Sequence, residues 1–154
     1  MEVNIYTWAR ASTKKKIGAW MAILATKTAA GKEATLTING ELEEATQNMA
    51  DIIALTKAVK RMTKPSKIHI YTDSVYVAGV LEQDLPKRWE EQGWKTSTGG
   101  DVKNADKWQE LAAGLRIHDI EIHTREDHSF REWMEHEGEK RLKERSEDGG
   151  TKNP

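Results

Sequence analysis

WEEQGWKTSTGGDVKNADKWQEL, residues 89–111, carries tryptophans at 89, 94 and 108 on either side of a glycine-containing turn. It follows IHIYTDS at 68–74, where Ile68, Ile70 and Thr72 alternate with His69, Tyr71 and Asp73. That alternation is strand periodicity, and it ends on a carboxylate followed by a serine. Ser74 to Glu82 reads as a short helix, and a second helix starts after Pro86, since proline suits a first turn. Asn104 to Leu115 reads as a further helix, and the three tryptophans are expected to pack the segment's own small core.

Upstream, Val3, Ile5 and Thr7 alternate with Asn4, Tyr6 and Trp8, a first strand. Ile17 to Thr28 is a second, joined through Ala29-Ala30-Gly31-Lys32 to a third at Ala34 to Ile38, with Asn39-Gly40 as the turn after it. From Thr46 to Met62 the period becomes helical, with Ile52, Leu55, Val59 and Met62 on one face, and Asn48 with Asp51 resembles a capping pair. Downstream, Ile117 to Thr124 is a strand. Ser129 and Glu132 read as a capping box for a last helix running to about Arg145. The order βββαβα(α)αβα predicts one α/β domain over residues 1–145: a mixed five-stranded sheet, three antiparallel strands and then two more, flanked by helices. Ser146 to Pro154 reads as a flexible polar tail.

A chain of 154 residues with 37% hydrophobic content is long enough to bury a core without staples, and it contains no cysteine. Disulfides, thiolate zinc sites and thiol nucleophiles are therefore excluded. The opening Met1-Glu2-Val3-Asn4 has no basic-then-apolar pattern, so a cytoplasmic, membrane-free protein is the expectation. Net charge is −1, so affinity for a polyanion must come from local patches. Lys14-Lys15-Lys16 is one, and Lys57, Lys60, Arg61, Lys64 and Lys67 form a looser second that reads equally as a solvated face.

Thr-Asp-Ser at 72–74, Trp-x-x-x-Gly-Trp-Lys-Thr at 89–96, Val-Lys-Asn at 102–104 and Trp108-Gln109 together resemble a type 1 ribonuclease H. The resemblance runs from about Val3 to Leu142 and is strongest from Trp89 to His128. It implies the ribonuclease H-like fold, RNA/DNA hybrid as partner, and endonucleolytic hydrolysis of the RNA strand. Two Mg2+ or Mn2+ ions about 4 Å apart carry that reaction, held by carboxylates from several elements.

By this resemblance Asp73 is a metal ligand, although a helix N-cap is its structural reading. Asp51 follows, in Thr46-Gln47-Asn48-Met49-Ala50-Asp51, with the family's glutamate shortened to aspartate. The lost methylene withdraws the carboxylate by about 1.5 Å. His128 matches the family's mobile-loop histidine, a proton shuttle near neutral pH. Counting without a gap from His128 puts Gly138 at the fourth carboxylate position, and a one-residue deletion puts Glu137 there; Glu137 is the choice for both catalysis and metal. Nucleic-acid contacts are assigned to Lys14, Lys15, Lys16, Gln47, Asn48, Trp89, Trp94, Lys95, Lys103 and Asn104.

One departure is decisive. Where the family has its first, ion-bridging aspartate, this sequence has Trp8, an indole that cannot ligate a hard cation. The glycine-rich loop after it is here Ala11-Ser12-Thr13-Lys14-Lys15-Lys16. Basic residues between 87 and 107 are offset by Asp84, Glu90, Glu91, Asp101 and Asp106, which weakens the arm that lies on the hybrid. The expectation is a divergent domain with a degenerate active site and hydrolysis reduced or lost. A nucleic-acid-binding or protein-interaction module on the same fold is the alternative.

Overall fold

The computed structural model describes residues 1–151, with side chains as far as Ser146. Three antiparallel strands open the chain: β1 (Glu2–Ser12), β2 (Ile17–Lys27) and β3 (Glu33–Leu42). Helix α1 (Gln47–Val59) crosses back to β4 (Lys67–Thr72), and α2 (Val75–Glu82), α3 (Leu85–Glu91) and α4 (Ala105–Leu115) lead to β5 (Asp119–Thr124) and α5 (Arg131–Thr151). Among the described residues the sheet order is β3-β2-β1-β4-β5, with β4 parallel to β1 and β5 parallel to β4. This is the mixed five-stranded architecture that the alternations predict.

Residue parity divides the side chains of β1 and β2 between the two faces of the sheet. Val3 and Ile5 of β1 and Ile68 and Ile70 of β4 join Ile52 and Leu55 of α1 and Trp108 and Leu111 of α4 in one core. Tyr6 and Trp8 face the other way, against Met21 and Ile23 of β2 and Met134 of α5. Each fully buried Ile or Leu contributes about 1.5–3 kcal/mol, so both faces of β1 hold the fold together. Trp89, Trp94 and Trp108 pack together, with ring centroids 5.9 and 6.2 Å from Trp89, but they do so as part of the main core rather than in a small core of their own, and Trp108 Nε1 donates to Tyr76 Oη at 2.7 Å.

Four local expectations give way to tertiary contacts. Asn39-Gly40 is no turn: both lie inside β3, opposite Met21 and Trp20. Gly40 is required there because the Trp20 indole lies on it, 2.5 Å from where a β-carbon would stand. The cap of α1 is Thr46, whose hydroxyl accepts from Met49 N, so Asn48 and Asp51 form no capping pair. At α5, no hydrogen bond joins Ser129 and Glu132; the Phe130 amide donates instead to His128 Nδ1. Finally, α5 does not stop at Arg145. Its guanidinium donates to the Gly18 and Leu42 carbonyls, which anchors the helix across β2 and β3, and the helix continues to Thr151. Residues 152–154 of the expected tail lie outside the described residues.

Candidate active-site cleft

β1, α1, the end of β4 and the first turns of α5 meet at one cleft of about 430 Å³. Asp51 reaches it from the first helix, Asp73 from the residue after β4, and Trp8 and Arg10 from β1. The fourth wall supplies Glu135, a residue the sequence count passes over.

Asp51 is the most deeply placed of the three carboxylates. Burial, and then the charge of Asp73, push it up to about 6, against hydrogen bonding from Gln47 and Ser74 and the pull of Arg10. Gln47 Nε2 donates to Asp51 Oδ1 at 3.2 Å and to the Ala9 carbonyl at 2.9 Å, while its Oε1 accepts from Ala11 N. The Gln47 side chain therefore clamps α1 to β1, and its polar atoms are spent inside the protein rather than on a nucleic acid.

Asp73 is exposed, and it is not the cap of α2; Ser74 is, accepting from Val77 N at 3.0 Å. Its Oδ2 takes Arg131 Nη1 at 2.7 Å, and Arg125 Nε donates to its carbonyl at 3.3 Å. His128 lies beside this pair with its ring 4.5 Å from that of Tyr6. Burial and the neighbouring Arg131 hold its pKa below the usual value, and Nδ1 is occupied by the Phe130 amide.

Glu135 is held on both oxygens. Oε2 accepts from Trp8 Nε1 at 3.0 Å and Oε1 from Arg10 Nη2 at 2.8 Å, while the Arg10 guanidinium lies 5.7 Å from the centre of the Trp8 ring. The indole is 9% exposed and fills the space between β1 and α5. Gly138, one turn after Glu135, lies beneath it. Glu137 is turned elsewhere: it takes Arg141 at 3.4 Å, whose guanidinium also donates to Asn39 on β3. So Asp51 and Asp73 come together as the sequence predicts, Glu137 and Gly138 do not join them in the cleft, and Glu135 does.

The residues assigned to nucleic acid divide in the same way. Lys14 and Lys15 are exposed in the β1–β2 turn, whereas Lys16 pairs with Glu44 at 3.4 Å. Asn48 lines the cleft and Lys103 is exposed. Lys95 is paired with Asp101, and Asn104, left-handed at φ 60°, turns its amide to Tyr76 Oη at 3.4 Å. Trp89 and Trp94 are half-buried against the main core.

The chain has counterparts among known proteins. The RNase H family model matches residues 1–132. The ribonuclease H of Caldicellulosiruptor saccharolyticus is 35% identical over 128 residues, covering 83% of this chain and 85% of that protein. The ribonuclease H of Acetivibrio thermocellus is 33% identical over 132 residues, covering 86% of each. In three dimensions the chain is similar to LC9-RNase H1, a type 1 RNase H with the type 2 active-site motif. That likeness has a TM-score of 0.68 at 18% identity, over 83% of this chain and 64% of the other. With its sequence matched from the first strand into the last helix, and with a mixed five-stranded sheet as the resemblance implies, the chain belongs to the RNase H family.

Proposed function

We propose that this chain is a ribonuclease H-like domain that binds RNA/DNA hybrid and in which metal-dependent hydrolysis of the RNA strand is strongly reduced or lost. One observation carries the reading. The Trp8 indole occupies the β1 position where the family resemblance implies a bridging aspartate, and it is bonded to the α5 carboxylate, Glu135, that faces it.

Charge supports the same reading. A pair of magnesium ions needs several carboxylate oxygens free to face one point, with water completing each octahedron. Here Asp73 is matched by Arg131 and Glu135 by Arg10, so two of three negative charges are already compensated by guanidinium groups. This donor set does not fit two divalent ions.

Binding rests on a smaller surface than the sequence assigns: Lys14 and Lys15 at the β1–β2 turn, Asn48 and Arg125 at the cleft, and Lys103 beyond α3. Fluorescence anisotropy with a labelled RNA/DNA hybrid tests it. Each phosphate that a lysine no longer neutralises lowers the salt slope by about 0.9, so Lys14→Glu with Lys15→Glu is expected to lower it by about 2. Hybrid binding that is absent, or indifferent to both lysines, contradicts the reading.

A further inference from the structure

On the side of the sheet where α5 packs over β1 and β2, the β4–β5 end presents polar side chains. His69 of β4 stands opposite Glu121 of β5, and His123 stands two residues further along, opposite Tyr71. All three point to one spot. His69 Nδ1 is 2.8 Å from Glu121 Oε2, His123 Nε2 is 3.4 Å from the same oxygen, and the two nitrogens are 3.1 Å apart. Both histidine side chains are less than one-fifth exposed, while Glu121 is half exposed.

His123 Nδ1 lies 2.7 Å from Glu126 Oε2, and in the tautomer that donates there Nε2 turns its lone pair toward His69 and Glu121. His69 Nδ1 carries at most one hydrogen, which goes to Glu121 or to His123 but not to both. Two imidazole nitrogens and a carboxylate oxygen therefore converge within 3.4 Å of one another. Atoms at these spacings lie on a circle of about 1.8 Å radius, so a point about 1 Å off their plane is about 2.05 Å from each, the usual zinc–nitrogen and zinc–oxygen length.

We propose that His69, Glu121 and His123 form a binding site for a divalent transition ion of the zinc type, separate from the cleft that carries Asp51 and Asp73. Two imidazoles and one carboxylate select such an ion over magnesium. The Glu126 carboxylate behind His123 is the partner that metal-bound histidines ordinarily have. The parallel faces of Tyr71 and His123, 4.4 Å apart and inclined by 8°, hold that ring in place. The exposed side of Glu121 leaves the fourth position to water. Bound there, the ion ties the edge strand β5 to β4, together with the start of the segment that carries Arg125 and His128 to the cleft.

The test is isothermal titration of the full chain with Zn2+ alone, with thermal unfolding followed in parallel. One equivalent is expected to bind and to raise Tm by about 5 °C at saturation. Glu121→Gln and His123→Gln should weaken binding by more than about a hundredfold, and Glu126→Gln by about tenfold. Asp51→Asn with Asp73→Asn should leave it unchanged. Because His123 packs on Tyr71, Glu121→Gln decides the matter if His123→Gln fails to fold. Failure of the wild-type chain to bind Zn2+, or equal affinity in Glu121→Gln, overturns the proposal.

Discussion

Gly138 lies under the six-membered ring of Trp8: a β-carbon at 138 would stand 2.5 Å from Cζ3 and 2.6 Å from Cζ2. The two positions are therefore coupled, since an indole at 8 requires no side chain at 138. Gly138→Ala gains about 1 kcal/mol of helix propensity and meets an overpacking cost of about 1–3 kcal/mol. The variant should be less stable than wild type by up to about 2 kcal/mol. In a Trp8→Ala background the clash is gone and the same substitution should stabilise. Urea unfolding of the four proteins measures the coupling, and additive effects would remove it.

The Arg131–Asp73 pair is half exposed, so Arg131→Ala should cost less than about 1 kcal/mol of stability. Its larger effect is on cations. With the guanidinium removed, Asp73 faces the cleft uncompensated, and Mn2+ should broaden the amide resonances of Asp51 and Asp73 at lower concentration than in wild type. Identical broadening in the two proteins would show that Arg131 does not stand in for a metal ion.

Asp51 makes stability depend on pH. Its pKa is raised from 3.8 to about 6 on folding, so the folded chain holds this proton more tightly than the unfolded one. The resulting stabilisation is complete below 3.8 and is lost as pH rises through 6. Asp51→Asn keeps an oxygen for Gln47 and abolishes the titration. The variant should exceed wild type by about 3 kcal/mol at pH 8 and equal it near pH 3.5. Urea midpoints at the two pH values check this; a difference that does not change with pH contradicts it.

Much of this architecture is written in short-range pattern. The alternation at 68–73 and the helical spacing of Ile52, Leu55 and Val59 each bury the face they predict. Asn39-Gly40 misleads because its glycine serves a neighbour in space, Trp20, rather than a turn. The cleft is legible at Asp51, Asp73 and Trp8, which stand within or just after elements whose periodicity fixes their register. Glu135 escapes a count from His128 because such a count ignores where α5 begins. A signal is present all the same: Met134, Gly138 and Leu142 make the apolar stripe of α5, and at 100° per residue Glu135 and Glu137 flank that stripe on opposite sides. Glu135 lies toward β1 and the cleft, and Glu137, through Arg141, toward β3. An indole N–H and a guanidinium on β1 also call for an acid opposite them.

Cleavage of an end-labelled RNA/DNA hybrid by the purified chain, in Mg2+ and in Mn2+ beside an Asp73→Asn control, tests whether the guanidinium-paired cleft has displaced metal chemistry. No metal-dependent cleavage above that control is expected, and a rise is expected in Trp8→Asp combined with Arg131→Ala, which restores one carboxylate and frees another. Robust Mg2+-dependent cleavage by the wild-type chain, abolished in Asp73→Asn, would show that the cleft still works as a metal-dependent nuclease.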